Sequence, residues 1–112
     1  METTRQQKVS RQIQKDLSEI FRQEGRELSG GKMVTVTVVR MSPDLSLAKV
    51  YLSIFPSDEK DKFLKRLQSY VKHIRLELGK KVRHQLRIVP EIAFFIDDSM
   101  DYAARIDSLL DS

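Results

Sequence analysis

Between Met33 and Ile54 the chain reads MVTVTVVR-MSPDL-SLAKVYLSI. Val34, Val36 and Val38 alternate with Thr35, Thr37 and Val39, and Ala48, Val50, Leu52 and Ile54 alternate with Lys49, Tyr51 and Ser53. Period-two alternation over β-branched residues predicts two strands that each bury one face. Ser42-Pro43-Asp44 lies between them. Proline presets φ for a turn, and Ser and Asp bond nearby backbone, so the two runs read as a hairpin with a tight turn. The rest of the chain is expected to be arranged on this hairpin.

Residues 3 to 24 supply the first cover. Val9, Ile13, Leu17, Ile20 and Phe21 recur at spacings of three and four and make one apolar stripe of a helix. Thr3 or Thr4 is placed to cap its start, Gly25 to end it, and Gly30-Gly31 to give a flexible link into the hairpin. After the second strand, Pro56-Ser57-Asp58 breaks the chain and offers Ser57 or Asp58 as an N-cap. From Asp58 to Arg83 a second helical pattern places Phe63, Leu64, Leu67, Val71, Ile74, Leu78 and Val82 on one face. A straight helix of that length would span about 39 Å, longer than a three-stranded sheet can cover. Two helices or a sharp kink are therefore expected, with the break near Ser69 to Lys72. Leu86 to Ile96 reads as a third strand with Leu86, Ile88, Ile92, Phe94 and Ile96 on one face. Pro90 cannot donate to a ladder and calls for an edge position or a bulge. The order α-β-β-α-α-β predicts an α+β domain of two layers, with the helices covering one face of the sheet. The domain is expected over residues 1–98. An acidic tail over 99–112 carries Tyr102, Ile106, Leu109 and Leu110 in a short helical period.

Composition narrows the function. The 112 residues suit one domain, and 40% hydrophobic with 32% charged residues suits a folded one. There is no cysteine, hence no disulfide or thiolate chemistry. No apolar run approaches the roughly 20 residues of a bilayer span, and the polar N-terminus lacks the apolar region of a secretory signal. A cytoplasmic protein with no membrane partner is expected. The net charge of +4 conceals an uneven distribution. Residues 60–87 hold ten Lys/Arg against Asp61 and Glu77, a balance of +8. Residues 91–112 hold six acids against Arg105, a balance of −5. Dense cations on helices point to a polyanion docked on one side. The candidate phosphate contacts are Lys72, Arg75, Lys80, Lys81, Arg83 and Arg87, with Arg5, Lys8, Arg11 and Lys15 on the first helix as a second basic edge. A solvated face kept for solubility is the bland reading of the same pattern.

No active site is legible. His73 and His84 stand eleven apart with no third ligand at matching spacing, which argues against zinc. There is no glycine-rich phosphate loop and no serine with a base and an orienter. The tail acids Asp97, Asp98 and Asp101 suit a solvated helix start better than a metal. Neither enzymatic activity nor a cofactor is expected. Tyr51, Phe55 and Phe95 fall on the non-core face of the sheet, without the motif of an RNA-stacking platform.

Val39-Arg40-Met41-Ser42-Pro43-Asp44-Leu45-Ser46-Leu47-Ala48-Lys49-Val50-Tyr51-Leu52 and, later, Leu86-Arg87-Ile88-Val89-Pro90-Glu91-Ile92-Ala93-Phe94 resemble the ribosome-binding factor A family. That family shows a V-x-V-S-x-D-L-x-x-A-K-V-Y-V-type hairpin and an L-R-I-V-P-E-L-x-F-type final strand. The opening from Arg5 to Ile13 is also similar to the family's first helix, so the resemblance covers essentially the whole chain. It implies a type-II KH-like fold with the element order read above. It also implies a small cytoplasmic assembly factor, monomeric when free. Such a factor binds the immature small (30S) ribosomal subunit and its 16S rRNA, assists processing of the 5′ end of that RNA, and is associated with growth in the cold. Two departures stand out. The family's A-x-G kink between the paired helices falls on Tyr70-Val71-Lys72, where neither small residue is present. Contact then passes to the side chains of Lys72, Arg75, Lys80, Lys81 and Arg83. The chain also ends soon after its third strand, so the functions of a longer C-terminal extension are not expected of it. The rival reading is a protein-interaction module that offers a strand edge to a partner.

Overall fold

The structure, a computed structural model, describes residues 3–83 and 86–97. The first helix, α1 (Thr4–Ser29), starts with a reciprocal cap: Gln6 N–H donates to Thr3 Oγ1 at 3.1 Å, and Thr3 N–H donates to Gln6 Oε1 at 2.7 Å. The stripe of Ile13, Leu17, Ile20 and Phe21 is buried as expected. The helical geometry breaks beside Gly25, but the helix does not stop there. The chain bends at Glu24 (φ −116°, ψ 17°) and continues to Ser29, where Gly30 closes it with φ 65° and donates its N–H to Arg26 O. The reason is Leu28, which extends the apolar stripe and is 1% exposed. Its burial outweighs the cost of about 1 kcal/mol for a helical glycine.

The sheet has the order β1 (Met33–Met41), β2 (Leu47–Phe55), β3 (Glu91–Ile96), antiparallel between β1 and β2 and parallel between β2 and β3. β2 follows its pattern, with Ala48, Val50, Leu52 and Ile54 all buried. β1 does not. Val36 pairs with Leu52 and Val38 with Tyr51, which leaves Thr37 as a bulge. The extra residue turns Val38 outward and brings Val39 and Met41 into the core. Gln14 of α1 donates to the carbonyls of Val36 and Thr37 at 3.2 Å each, and the Thr37 hydroxyl donates to Asp97 at 2.7 Å.

The connection between β1 and β2 is a pinned loop over 42–46, longer than the tight turn expected. Asp44 accepts the Ser42 and Ser46 hydroxyls at 2.7 Å each and the Ser46 N–H at 3.1 Å, while Leu45 takes a left-handed φ of 62°. These bonds hold the Asp44 carboxyl down to about 2, from 3.8. A carboxylate depressed in the folded state stabilises it above the unfolded value and ceases to do so as pH falls through the folded one. The loop is therefore expected to stay locked at pH 3 and loosen near pH 2. In an NMR titration the Ser46 amide should move with a midpoint near 2, a transition that Asp44→Asn removes.

The second helical stretch is broken within the window read from the sequence. α2 (Lys60–Ser69) and α3 (Val71–Val82) meet at Tyr70, with φ −101° and ψ 5°. Neither Ser57 nor Asp58 caps α2. Glu59 takes that place in a left-handed conformation, and Asp58 pairs with Lys32 at 3.0 Å. Residues 86–90 do not join β3. Pro90 has no N–H to give, and the ladder starts with Glu91 N–H to Ser46 O at 2.8 Å. Ile88, expected on the buried face, is 78% exposed. β3 does lie at the sheet edge, as Pro90 suggested.

All three helices lie over one face of the sheet. Ile13, Leu17, Leu67, Ile74 and Leu78 meet Val50 and Leu52 in the core, and Phe21 meets Phe94 edge to face at 6.5 Å. On the other face Tyr51 stacks on Phe95 at 5.3 Å, and Met33 and Phe55 stand exposed. The result is the two-layer α+β arrangement of a type-II KH-like domain.

Candidate nucleic-acid interface

Three contacts fix how the helices run. The Arg66 guanidinium donates to Glu27 O at 2.6 Å, His73 meets Glu24 at 2.9 Å, and Lys81 meets Glu19 at 3.4 Å. Numbers fall along α1 as they rise along α2 and α3, so α1 lies antiparallel to the pair. The N-terminal half of α1 thus extends past Lys81, toward the segment that follows α3. Gln6 anchors that half to the hairpin by donating to Met41 O at 3.0 Å. Arg5 and Arg87, far apart in sequence, line one cleft beside the 42–46 loop.

Arg5, Lys8, Arg11 and Lys15, spaced at three and four, share one exposed face of α1 and line a shallow groove with Val9 and Gln12. With Arg83 and Arg87 they form no ion pair or hydrogen bond among the described residues, and all six are exposed. Lys80 is exposed and pairs with Glu77 at 3.1 Å. The remaining candidates lie elsewhere or are engaged. Lys72 is exposed but lies at the other end of α3, about 17 Å from Arg83 along the axis. Lys81 is half-buried against Glu19. Arg75 bonds Pro90 O at 3.0 Å and Val89 O at 2.9 Å and pairs with Glu91 at 3.5 Å, so its guanidinium holds residues 89–91 to α3. Arg75→Ala is expected to lower stability by about 2 kcal/mol in urea unfolding, since bonds to a charged donor are lost and half-buried carbonyls are orphaned.

His73 is held above the usual histidine range, chiefly by its hydrogen bond to Glu24. His84, Asp98 and Asp101 lie outside the described residues, as does the expected tail over 99–112. No group of three His, Cys, Asp or Glu side chains able to hold a metal occurs among the described residues. Two cations escaped the reading of the sequence. Arg40 and Lys49 sit directly opposite each other across the hairpin, both exposed on the open face. Lys49 stands at an outward position in the alternation of β2, whereas Arg40 is turned outward only by the bulge at Thr37.

A family model for ribosome-binding factor A matches residues 5–110. The chain belongs to the ribosome-binding factor A family. The ribosome-binding factor A of Cytophaga hutchinsonii is 49% identical over 110 residues, which cover 98% of this chain and 83% of that one. The crystal structure of ribosome-binding factor A from Thermus thermophilus is 23% identical with a TM-score of 0.68, over 81% of this chain and 94% of that one. A homology model of the Thermus thermophilus factor, fitted into the cryo-EM map of its 30S complex, is 24% identical with a TM-score of 0.52, over 73% of this chain and 96% of that one. These two structures show the fold. The hinge between α2 and α3 has no small residue at its centre. Tyr70 fills it with a half-buried ring, and the Arg66 guanidinium lies 5.8 Å from the ring centroid.

Proposed function

We propose that this chain is a non-catalytic assembly factor that docks on the immature small ribosomal subunit through 16S rRNA. It would assist maturation of that RNA, including processing of its 5′ end, in the cytoplasm and under cold growth conditions, acting as a monomer without a cofactor. The observation that carries the reading is the strip of six cations, without partners among the described residues, that joins the N-terminal half of α1 to the segment after α3: Arg5, Lys8, Arg11, Lys15, Arg83 and Arg87. Lys80 extends it and Lys81 braces it. Family membership supports the ribosome as partner, as does the 30S complex of the Thermus thermophilus factor.

Cations that bind phosphates release counterions, so log K should fall linearly with log salt, with a slope near −0.7 to −0.9 per phosphate contact. Six contacts predict a slope of about −4 to −5 for binding to immature small subunits. A flat plot would rule out phosphate docking. The protein-partner reading has one observation in its favour. Met33 and Phe55, paired across the hairpin, are 71% and 72% exposed. Association with ribosomal components that survives complete RNase digestion would favour it.

A further inference from the structure

The cleft beside the 42–46 loop is walled by three segments distant in sequence, whereas the groove under the rest of the strip is lined by α1 alone. It measures about 430 Å³ and is lined by Arg5, Asp44, Leu45, Ser46, Leu86, Arg87 and Ile88. A volume of that order suits a small-ligand site and far exceeds what one phosphate contact needs. Its walls are fixed to one another. Glu91 N–H donates to Ser46 O at 2.8 Å, Leu86 N–H donates to Val82 O at 2.9 Å, and Arg75 holds the carbonyls of Val89 and Pro90. The loop wall is locked by Asp44 between Ser42 and Ser46. Into this rigid frame project two guanidiniums without partners among the described residues, and an isoleucine that is 78% exposed although its neighbour Leu86 is buried.

We infer that this cleft receives one unstacked nucleotide of a single-stranded RNA segment, with its phosphate between Arg5 and Arg87 and its base against Ile88 and Leu45. The inference rests on the RNA-docking reading above and narrows it. Charge sets the size of the ligand. Arg5 and Arg87 against Asp44 leave +1, which matches one phosphodiester and falls short of a polyphosphate. The Asp44 carboxylate is occupied by its own loop, so it shapes the wall and leaves the anion to the arginines. Apolar contact sets the conformation of the ligand. In a continuous A-form duplex the bases are stacked and their faces are closed to side chains, whereas single strands and bulges splay them out. An apolar tip held between two phosphate-binding groups gains contact only from a base that has left its stack.

The test uses the full chain, a single-stranded RNA of about eight nucleotides and a blunt RNA duplex of the same composition, with methyl NMR and affinity as readouts. The single strand should shift the methyl resonances of Ile88 and Leu45, and the duplex should leave them in place. Ile88→Ala should weaken the single strand about tenfold and leave the duplex unchanged. Arg5→Gln with Arg87→Gln should weaken both, while inorganic phosphate should shift the arginine side-chain signals and spare Ile88. Equal methyl shifts with the duplex, or unchanged single-strand affinity in Ile88→Ala, would overturn the nucleotide site. If small-subunit binding then still kept its steep salt slope, the docking reading would stand without it. A flat slope would remove the docking reading itself.

Discussion

Reversing Arg5, Arg11 and Arg83 to glutamate lowers affinity for the small subunit at least about 100-fold near 0.1 M salt, and leaves the far-UV circular dichroism unchanged. The estimate follows from counterion release. Three phosphate contacts carry a combined slope of about −2 to −3, so their loss costs two to three decades at that salt, before the repulsion of the new carboxylates. All three side chains are exposed and bond no other described residue, so the fold should not register the change. The same charge change at Arg26, Lys62 and Lys65 is the control. These residues are exposed too, but belong to the end of the helical layer where α1 meets α2. Affinity should stay within about threefold there, since long-range attraction is screened beyond roughly 10 Å. Equal losses from both triples would mean that net charge governs binding and the strip does not. Isothermal titration over a salt series decides between them.

Leu17→Ala is expected to cost about 3 to 5 kcal/mol in urea unfolding. Leu17 is 0% exposed, on the helix that packs against both the sheet and the α2–α3 pair. The core around it is built jointly from α1, the sheet and the α2–α3 pair, whose side chains cannot all close into the cavity. Against a typical total of 5–15 kcal/mol this removes a large share of the stability, and the melting temperature should fall by more than 10 °C, at about 4–8 °C per kcal/mol. Ile88→Ala deletes a comparable side chain yet should stay within about 0.5 kcal/mol, because Ile88 already faces water. The pair separates the apolar residues that make the fold from the one assigned to a ligand.

What the sequence revealed follows where its local signal is single-valued. Ala48, Val50, Leu52 and Ile54 alternate with residues of contrasting polarity, and only one phase of β2 buries them. The break at Tyr70 was legible as a length argument, since the apolar face ran longer than the sheet. β1 allowed two phases. In Val-Thr-Val-Thr-Val-Val the doublet Val38-Val39 fits either face, and only the tertiary requirement for Val39 and Met41 in the core selects the bulge. Gly25 pointed to a helix end because its local cost is visible in the sequence, whereas the compensation at Leu28 depends on what packs above it. The sequence reads the candidate site as a set of cations, and what it does not show is which of them the fold engages. Arg75 bends to carbonyls and Lys81 to Glu19, and neither partner is near in sequence. The joining of Arg5 to Arg87 depends on α1 lying antiparallel to α3, which no local pattern encodes.

The bulge at Thr37 has a further effect, on what another copy of the chain could do with β1. A strand at the border of a sheet is a template, and a second chain can extend the sheet by matching its repeat of donors and acceptors. Along β1 that repeat changes phase at Thr37, and the carbonyls of Val36 and Thr37 are already taken by Gln14. An incoming strand could stay in step along half of β1 only. The same inserted residue that carries Val39 and Met41 into the core thus guards a chain rich in valine and threonine against growing into a fibre.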